Sequence, residues 1–182
     1  FDEKYGGMGG DYFALCLAIE ELARNNQSLA ITLEAGVSLG AMPIYRFGTE
    51  EQKQEWLPKL TDGSGLAAFG LTEAEAGSDA GGTKTKAVLE NGEWVINGSK
   101  QFITNSGTDI TRLVTATAVT GTRTGRDGKE KPEISTIMIP SGTPGFTAEP
   151  AYDKVGWNSS DTHPLTFDNV HVPEENLLGE RG

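Results

Sequence analysis

Cysteine and histidine are scarce in this sequence of 182 residues, which contains one cysteine and two histidines. The single Cys16 cannot form a disulfide within the chain, and it cannot build a zinc site that needs several thiolates. His163 and His171 are too few to indicate a metal centre. The residues therefore give no sign of an oxidising compartment or a structural metal.

Basic residues are also few, with 15 lysines and arginines against 26 aspartates and glutamates, a net charge of −11. Non-specific binding to nucleic acid or to an anionic membrane surface needs a basic footprint, so both are excluded as partners. We see no apolar run near the ~18 residues of a membrane-spanning helix and expect no membrane span. With 36% hydrophobic residues, the composition is that of an ordinary globular protein.

Residues 11–62 have the apolar spacing of helices. Asp11 is a plausible N-cap of the first helix, and Ser28 can cap a second, largely apolar helix that Gly48 ends. The Thr-Glu-Glu-Gln run that starts at Thr49 is a capping box and predicts a third, shorter helix.

Near residue 64 the spacing of the apolar residues changes from the helical period to the alternation of strands. Asn91-Gly92 separates two alternating runs and predicts a hairpin with a type I′ turn. Seven or eight short strands at this spacing predict an antiparallel β-barrel or sandwich, so the fold class is α+β with two or three helices first. The predicted strands are Leu66–Leu71, Lys86–Glu90, Glu93–Ile96, Lys100–Thr104, Arg112–Val119, Ile134–Pro140, Phe146–Tyr152 and Leu165–Val172.

Two loops that follow strands are candidates for ligand binding. In Phe69–Asp79 the glycine Gly77 would let backbone N–H groups approach a ligand, and hydroxyls are present at Thr72 and Ser78. Such a loop can cradle an anion, although on the residues alone a surface turn is favoured. The second segment, residues 97–105, joins a strand to an aromatic side chain and a hydroxyl. The glycines at residues 6–10 lack the strand and spacing of a dinucleotide-binding loop.

Five sequence blocks in a fixed order carry a family resemblance. They are Glu-Lys-Tyr-Gly-Gly-Met-Gly at 3–9; Phe-Gly-Thr-Glu-Glu-Gln-Lys at 47–53 with Trp-Leu-Pro-Lys-Leu at 56–60; Leu-Thr-Glu at 71–73 with Ala-Gly-Ser-Asp at 76–79; Ile-Asn-Gly-Ser-Lys at 96–100 with Ile-Thr-Asn at 103–105; and Phe-Asp-Asn-Val-His-Val-Pro at 167–173 with Glu-Asn-Leu-Leu-Gly at 175–179. Through these blocks the sequence resembles the acyl-CoA dehydrogenase family over essentially its whole length.

The resemblance implies the end of the N-terminal helical domain over 1–64 and the middle β-barrel domain over 65–182, with the C-terminal helical domain absent. It further implies an FAD enzyme of fatty acid β-oxidation that dehydrogenates the α,β bond of an acyl-CoA. The electrons would pass to electron-transferring flavoprotein. The full-length protein is expected to be a homotetramer, cytoplasmic in a bacterium or in the mitochondrial matrix of a eukaryote. Acyl chain length is not readable from the sequence.

The resemblance also assigns site residues. Two segments would hold the flavin, with Leu71 and Thr72 on its pyrimidine edge and the Thr104 hydroxyl at N5. Ser78 would also meet the acyl-CoA. The catalytic glutamate is expected beyond Gly182, so this fragment alone should be inactive. The complete cofactor-binding set is Phe69, Leu71, Thr72, Gly77, Ser78, Phe102, Ile103 and Thr104.

Two departures from the family pattern affect this site. Ala74 and Glu75 replace Pro-Gly, and we expect Glu75 to point to solvent, because a buried anion would repel the pyrophosphate. Phe102 stands where tryptophan is commonest, which keeps an aromatic face but loses an indole donor. Glu73 and Glu75 are poor candidates for the catalytic base.

A local basic excess at residues 123–131 leaves two interpretations open. Arg123, Arg126, Lys129 and Lys131 could form a solvated hairpin tip, the default, or contact the nucleotide phosphates of CoA. Two rival functions also remain: a flavin oxidase or monooxygenase of the same fold, and a non-catalytic CoA-binding module.

Overall fold

A computed structural model describes residues 1–125 and 128–182. The first helix, α1, spans Tyr12–Asn25, and the Asp11 side chain accepts a hydrogen bond from Ala14 N at 2.9 Å, which confirms the predicted N-cap. None of the side chains of α1 is buried. The apolar face that the spacing predicts is therefore left largely open.

The second helical stretch is built from three consecutive pieces. Helix α2 spans Gln27–Glu34, a π-helical segment spans Ala35–Ala41, and α3 spans Met42–Phe47. The prediction of Ser28 as the cap is wrong by two residues, because the Asn26 side chain accepts the backbone N–H groups at the start of α2. An Asn cap satisfies these orphan donors as well as a Ser cap does.

The apolar stretch Gln27–Phe47 is 21 residues long with a hydropathy of 1.2. By length and composition alone it could cross a membrane, so the expectation that no run approaches that length is wrong. The contacts give another reason for its apolar character. Ile44 is fully buried, and a Cβ at Gly40 would lie only 2.4 Å from the Ala67 carbonyl oxygen, so the helix packs directly on a strand.

Gly48 ends α3 and Thr49 caps the next helix. Gly48 has φ −69° rather than the left-handed conformation expected of a C′ glycine. A Cβ there would still lie 2.5 Å from the Ile44 carbonyl oxygen, so glycine is favoured by close approach. Helix α4 spans Glu50–Thr61, and Thr49 and Gln52 form the predicted capping box.

In the part of the chain that the structure describes, eight strands follow the helices. The Asn91-Gly92 turn has φ of 54° and 84°, as the predicted type I′ hairpin requires. The predicted strands Glu93–Ile96 and Lys100–Thr104 form one continuous strand, because the chain passes through Gly98 without leaving the sheet. The strands are β1 Leu66–Gly70, β2 Lys86–Glu90, β3 Glu93–Thr104, β4 Thr111–Thr124, β5 Glu130–Pro140, β6 Phe146–Ala148, β7 Thr162–Pro173 and β8 Leu177–Leu178.

The sheet is mostly antiparallel, in the order β6-β7-β3-β2-β4-β5-β8, with β1 beside β4. Two pairings, β1 with β4 and β2 with β4, are parallel. The second of these is a single residue pair, Lys86 with Val119, and it joins the two halves of the sheet. Both halves contribute to one apolar core that contains Trp94, Val114 and Phe167, as in a sandwich.

A second apolar cluster lies between the helices and the sheet. It includes Ile44 and Leu57 from the helices together with Ala67, Leu113 and Met138 from the strands. Because these helices are fixed to the β1, β4 and β5 face, the π-helical segment lies beside the end of β1. This contact forms one side of a cleft at the ends of β1 and β3.

Candidate flavin site

A cleft of about 220 Å³ lies where β1 ends, where β3 ends and where the π-helical segment passes. Six of the eight predicted cofactor-binding residues line it, and they come from two segments about 30 residues apart in the sequence. A larger open groove of about 580 Å³, near α3 and β8, contains none of the predicted site residues. The residues that line the smaller cleft are Ala35, Leu39, Ala68, Phe69, Leu71, Thr72, Phe102, Ile103 and Thr104.

Phe102 is presented to the cleft by an irregularity in β3. The register between β3 and β7 shifts between Lys100 and Ile103, where β3 contains one residue more than its partner strand. Phe102 has φ +61°, a conformation that costs an aromatic residue energy, and the residue is 61% exposed. A bulge of this kind redirects a side chain. Tyr152 stacks on the Phe102 ring with centroids 5.0 Å apart.

The Thr72 and Thr104 side chains are half-buried at the cleft. Among residues 1–125 and 128–182, no protein group hydrogen-bonds either hydroxyl. The backbone carbonyl of Thr72 does have a partner, since it accepts from Gln101 N at 2.8 Å. The backbone is thus fixed while the hydroxyls are available to a ligand.

Gly77 and Ser78 lie outside this cleft, further along the loop that Leu71 begins. Both are exposed, and no atom lies within 4 Å of a Cβ built at Gly77. Glu75 is also exposed, as expected for a carboxylate near an anion site. The structure therefore brings six predicted residues together and leaves Gly77 and Ser78 at a separate, open position.

A buried ion pair beside the cleft was not foreseen in the sequence. Lys100 Nζ lies 2.8 Å from Glu73 Oε1, and their side chains are 0% and 6% exposed. The ammonium also donates to the Leu71 carbonyl at 3.2 Å and to Thr117 Oγ1 at 3.0 Å. Glu73 in turn accepts from the backbone N–H groups of residues 84 and 85. The alternation along β3 places Lys100 on a buried face, and this was the only available signal.

The pKa values of Glu73 and Lys100 are both lowered, for different reasons. Burial alone would raise the pKa of Glu73, but the hydrogen bonds from Lys100 and from the two backbone amides outweigh it and lower the pKa to about 2. Burial lowers the pKa of Lys100, against the opposing effect of Glu73. Because Lys100 donates to three acceptors, its geometry is that of the charged ammonium. A carboxylate with so low a pKa is a weak proton acceptor at neutral pH.

The turn after Thr104 is held by Asp161. Its carbonyl accepts from Asn105 N at 3.2 Å, and its carboxylate accepts from Gly107 N at 2.9 Å and contacts His163 at 2.5 Å. Asn105, fully buried with φ +64°, also donates to the Thr32 carbonyl of α2. Asp161 thus orders the loop that carries the second predicted segment.

The basic excess near the hairpin between β4 and β5 is only partly described. Arg123, Lys129 and Lys131 are exposed there. Arg126 and Asp127 lie outside the described residues. Both interpretations of this hairpin, the solvated tip that is the default and the contact with CoA phosphates, stay predictions.

Comparison with known proteins decides the family. The protein-family model "Acyl-CoA dehydrogenase, N-terminal domain" matches residues 1–64, and the family model "Acyl-CoA dehydrogenase, middle domain" matches residues 68–170. The chain belongs to the acyl-CoA dehydrogenase family. Its helices and mostly antiparallel sheet are those of the family's N-terminal and middle domains.

Curated relatives extend over almost the whole chain. A probable acyl-CoA dehydrogenase, YngJ, of Bacillus subtilis is 49% identical over 99% of this chain and 46% of its own length. A short-chain specific acyl-CoA dehydrogenase of Megasphaera elsdenii is 47% identical, over 100% of this chain and 47% of its own. The chain thus spans just under half the length of the relatives it matches.

Solved structures agree with these relatives. Butyryl-CoA dehydrogenase from Megasphaera elsdenii superimposes with a TM-score of 0.90 at 45% identity, over 100% of this chain and 47% of that one. An acyl-CoA dehydrogenase complexed with FAD from Bacillus anthracis gives 0.87 at 38%, over 99% and 30%. A chain in a structure described as electron transferring flavoprotein of Acidaminococcus fermentans gives 0.90 at 44%, over 100% and 46%.

The residues around the cleft fit an FAD of this family. An isoalloxazine ring needs an apolar face to stack on and donors at its polar edge. The cleft offers the exposed Phe102 ring and two hydroxyls that have no hydrogen-bond partner among the described residues. Ala35 and Leu39 of the π-helical segment form a further wall that the sequence did not indicate, because their position depends on how the helix packs on β1.

Proposed function

We propose that the full-length protein containing this chain is an FAD-dependent acyl-CoA dehydrogenase that oxidises the α,β bond of an acyl-CoA thioester. The observation that carries this proposal is the cleft, which places Leu71 and Thr72 beside Phe102 and Thr104. The family membership of the chain supports the same reaction class.

In this mechanism the residues of this chain bind the FAD and orient it. Phe102 would stack on the flavin, and the Thr72 and Leu71 groups would donate to its pyrimidine edge, where reduction places negative charge. The Thr104 hydroxyl would hydrogen-bond N5, and Gly77 and Ser78 would lie near the pyrophosphate. When bound, FAD supplies the acceptor for the hydride that leaves the β carbon.

The proton of the α carbon requires a separate base. Glu73 is unsuited to that role, because it is buried and already accepts three hydrogen bonds from protein donors. We place the base, a glutamate, in the part of the protein that follows Gly182. On this proposal the 182 residues alone are inactive.

We extend the proposal to partners and location. The similarity to a chain in the Acidaminococcus fermentans structure supports electron-transferring flavoprotein as the oxidant of the reduced flavin. A homotetramer, a role in fatty acid β-oxidation, and a cytoplasmic or mitochondrial-matrix location complete the proposal.

The test is to mix the full-length protein, loaded with FAD, with butyryl-CoA in the absence of oxygen. We expect loss of the flavin absorbance and formation of one enoyl-CoA per flavin. Thr104→Val should slow this reduction, because it removes the hydroxyl at N5 while keeping the side-chain shape. Stoichiometric peroxide under air would indicate an oxidase instead. A colourless protein that FAD cannot reconstitute would contradict the proposal and favour a non-catalytic module.

A further inference from the structure

The ion pair of Lys100 and Glu73 bonds to both loops that form the cleft. Lys100 lies on β3, two residues before Phe102. Its ammonium donates to the Leu71 carbonyl and to the Glu73 carboxylate, on either side of Thr72. A single side chain from the second segment therefore holds the first segment at two points.

Each member of the pair has further fixed partners. Lys100 Nζ also donates to Thr117 Oγ1 of β4, so its three N–H groups point to three acceptors. Glu73 Oε2 accepts from Lys84 N at 2.6 Å, and Glu73 Oε1 accepts from Thr85 N at 3.0 Å, just before β2. Few rotations remain for either side chain.

Stability alone does not explain such a pair. Removing two charges from water costs free energy that their attraction only partly offsets, and apolar side chains of similar volume are often as stable or more so. The hydrogen bonds of an ion pair, however, require a defined geometry that apolar contacts do not. Here the hydrogen bond from Lys100 fixes the Leu71 carbonyl, and so the peptide that joins Leu71 to Thr72.

We propose that Lys100 and Glu73 are a positioning pair, which holds the backbone of residues 71–73 against residues 102–104 so that both segments meet one FAD. The inference rests on the proposed FAD site. The pair acts through its hydrogen bonds to the backbone and does not itself touch the flavin.

The experiment compares FAD binding by the wild-type full-length protein and by the double variant Glu73→Gln/Lys100→Met. This change removes both charges together, so no unpaired charge is left buried, and glutamine keeps an acceptor for a backbone amide. The matched control is Glu90→Gln/Lys86→Met, which makes the same chemical changes at two exposed positions of β2. The readouts are the melting temperature of the apoprotein, the dissociation constant for FAD and the visible flavin spectrum.

We expect the double variant to fold and to bind FAD about 10- to 100-fold more weakly, a loss of the size seen when groups that orient the ligands of a bound metal are removed. Its flavin band should shift, and the control should match the wild type. A folded double variant with wild-type affinity and spectrum would refute the positioning role. If the double variant does not fold, FAD binding by the Lys100→Arg variant tests the proposal instead. It keeps the charge but not the three-way geometry, so unchanged FAD binding there would equally refute it. Wild-type protein that binds no FAD would instead overturn the site assignment beneath this inference.

Discussion

The buried carboxylate of Glu73 predicts an unusual acid dependence of stability. Its pKa is about 2 in the folded protein, against 4.5 for an ordinary glutamate. Because the folded pKa is the lower one, the stabilisation is fully present above pH 4.5 and is lost as the pH falls towards 2. At 1.36 kcal/mol per pKa unit, the contribution is about 3 kcal/mol at pH 6 and about 1 kcal/mol at pH 3.

The assay is the free energy of unfolding in urea at several pH values between 6 and 3, for the apoprotein and for Glu73→Gln. The difference between the two proteins cancels the titration of the carboxylates that they share. We expect this difference to shrink by about 2 kcal/mol from pH 6 to pH 3, because glutamine cannot titrate. Leaving Lys100 without its counter-charge adds an offset, which is constant as long as the ammonium stays protonated between pH 6 and pH 3.

The control is Glu90→Gln, at an exposed position of β2. Its difference from the wild type should stay within about 0.5 kcal/mol over the same range, as for most surface changes. A Glu73→Gln difference that is the same at pH 6 and pH 3 would refute the account of the buried pair. So would an equal slope in the control.

Four further substitutions test the fold and the cleft, each by urea unfolding of the apoprotein. Gly40→Ala should destabilise by about 1–3 kcal/mol, because its Cβ would meet the Ala67 carbonyl oxygen, whereas Gly77→Ala, with open space around it, should be close to neutral. Thr49→Ala should cost about 1 kcal/mol through loss of the capping box, and no change would mean that this cap is not needed. Phe102→Ala should alter apoprotein stability by under about 1 kcal/mol, because the ring is exposed, yet weaken FAD binding; a large stability loss would contradict its assignment to the ligand.

Local features were the most predictable from the sequence. The Asp11 cap, the Thr49 capping box and the Asn91-Gly92 turn depend on residues within a few positions of one another, so the sequence contains all the information needed. The two cleft segments followed from motif blocks, although only the structure brings them together. The cap at Ser28 failed because Asn26, equally able to cap, comes first.

The sequence by itself thus determined the family, the helix-to-strand change near residue 64 and the chemical types of the cleft residues. The tertiary structure alone decided the parallel pairing of β1 with β4, the wall formed by the π-helical segment and the Glu73–Lys100 pair. Glu73 and Lys100 are 27 residues apart in the sequence, so no local spacing pairs them. Alternation along β3 indicates a buried face for Lys100, but only the packed sheet buries Glu73 beside it, and their role arises because folding buries both charges together.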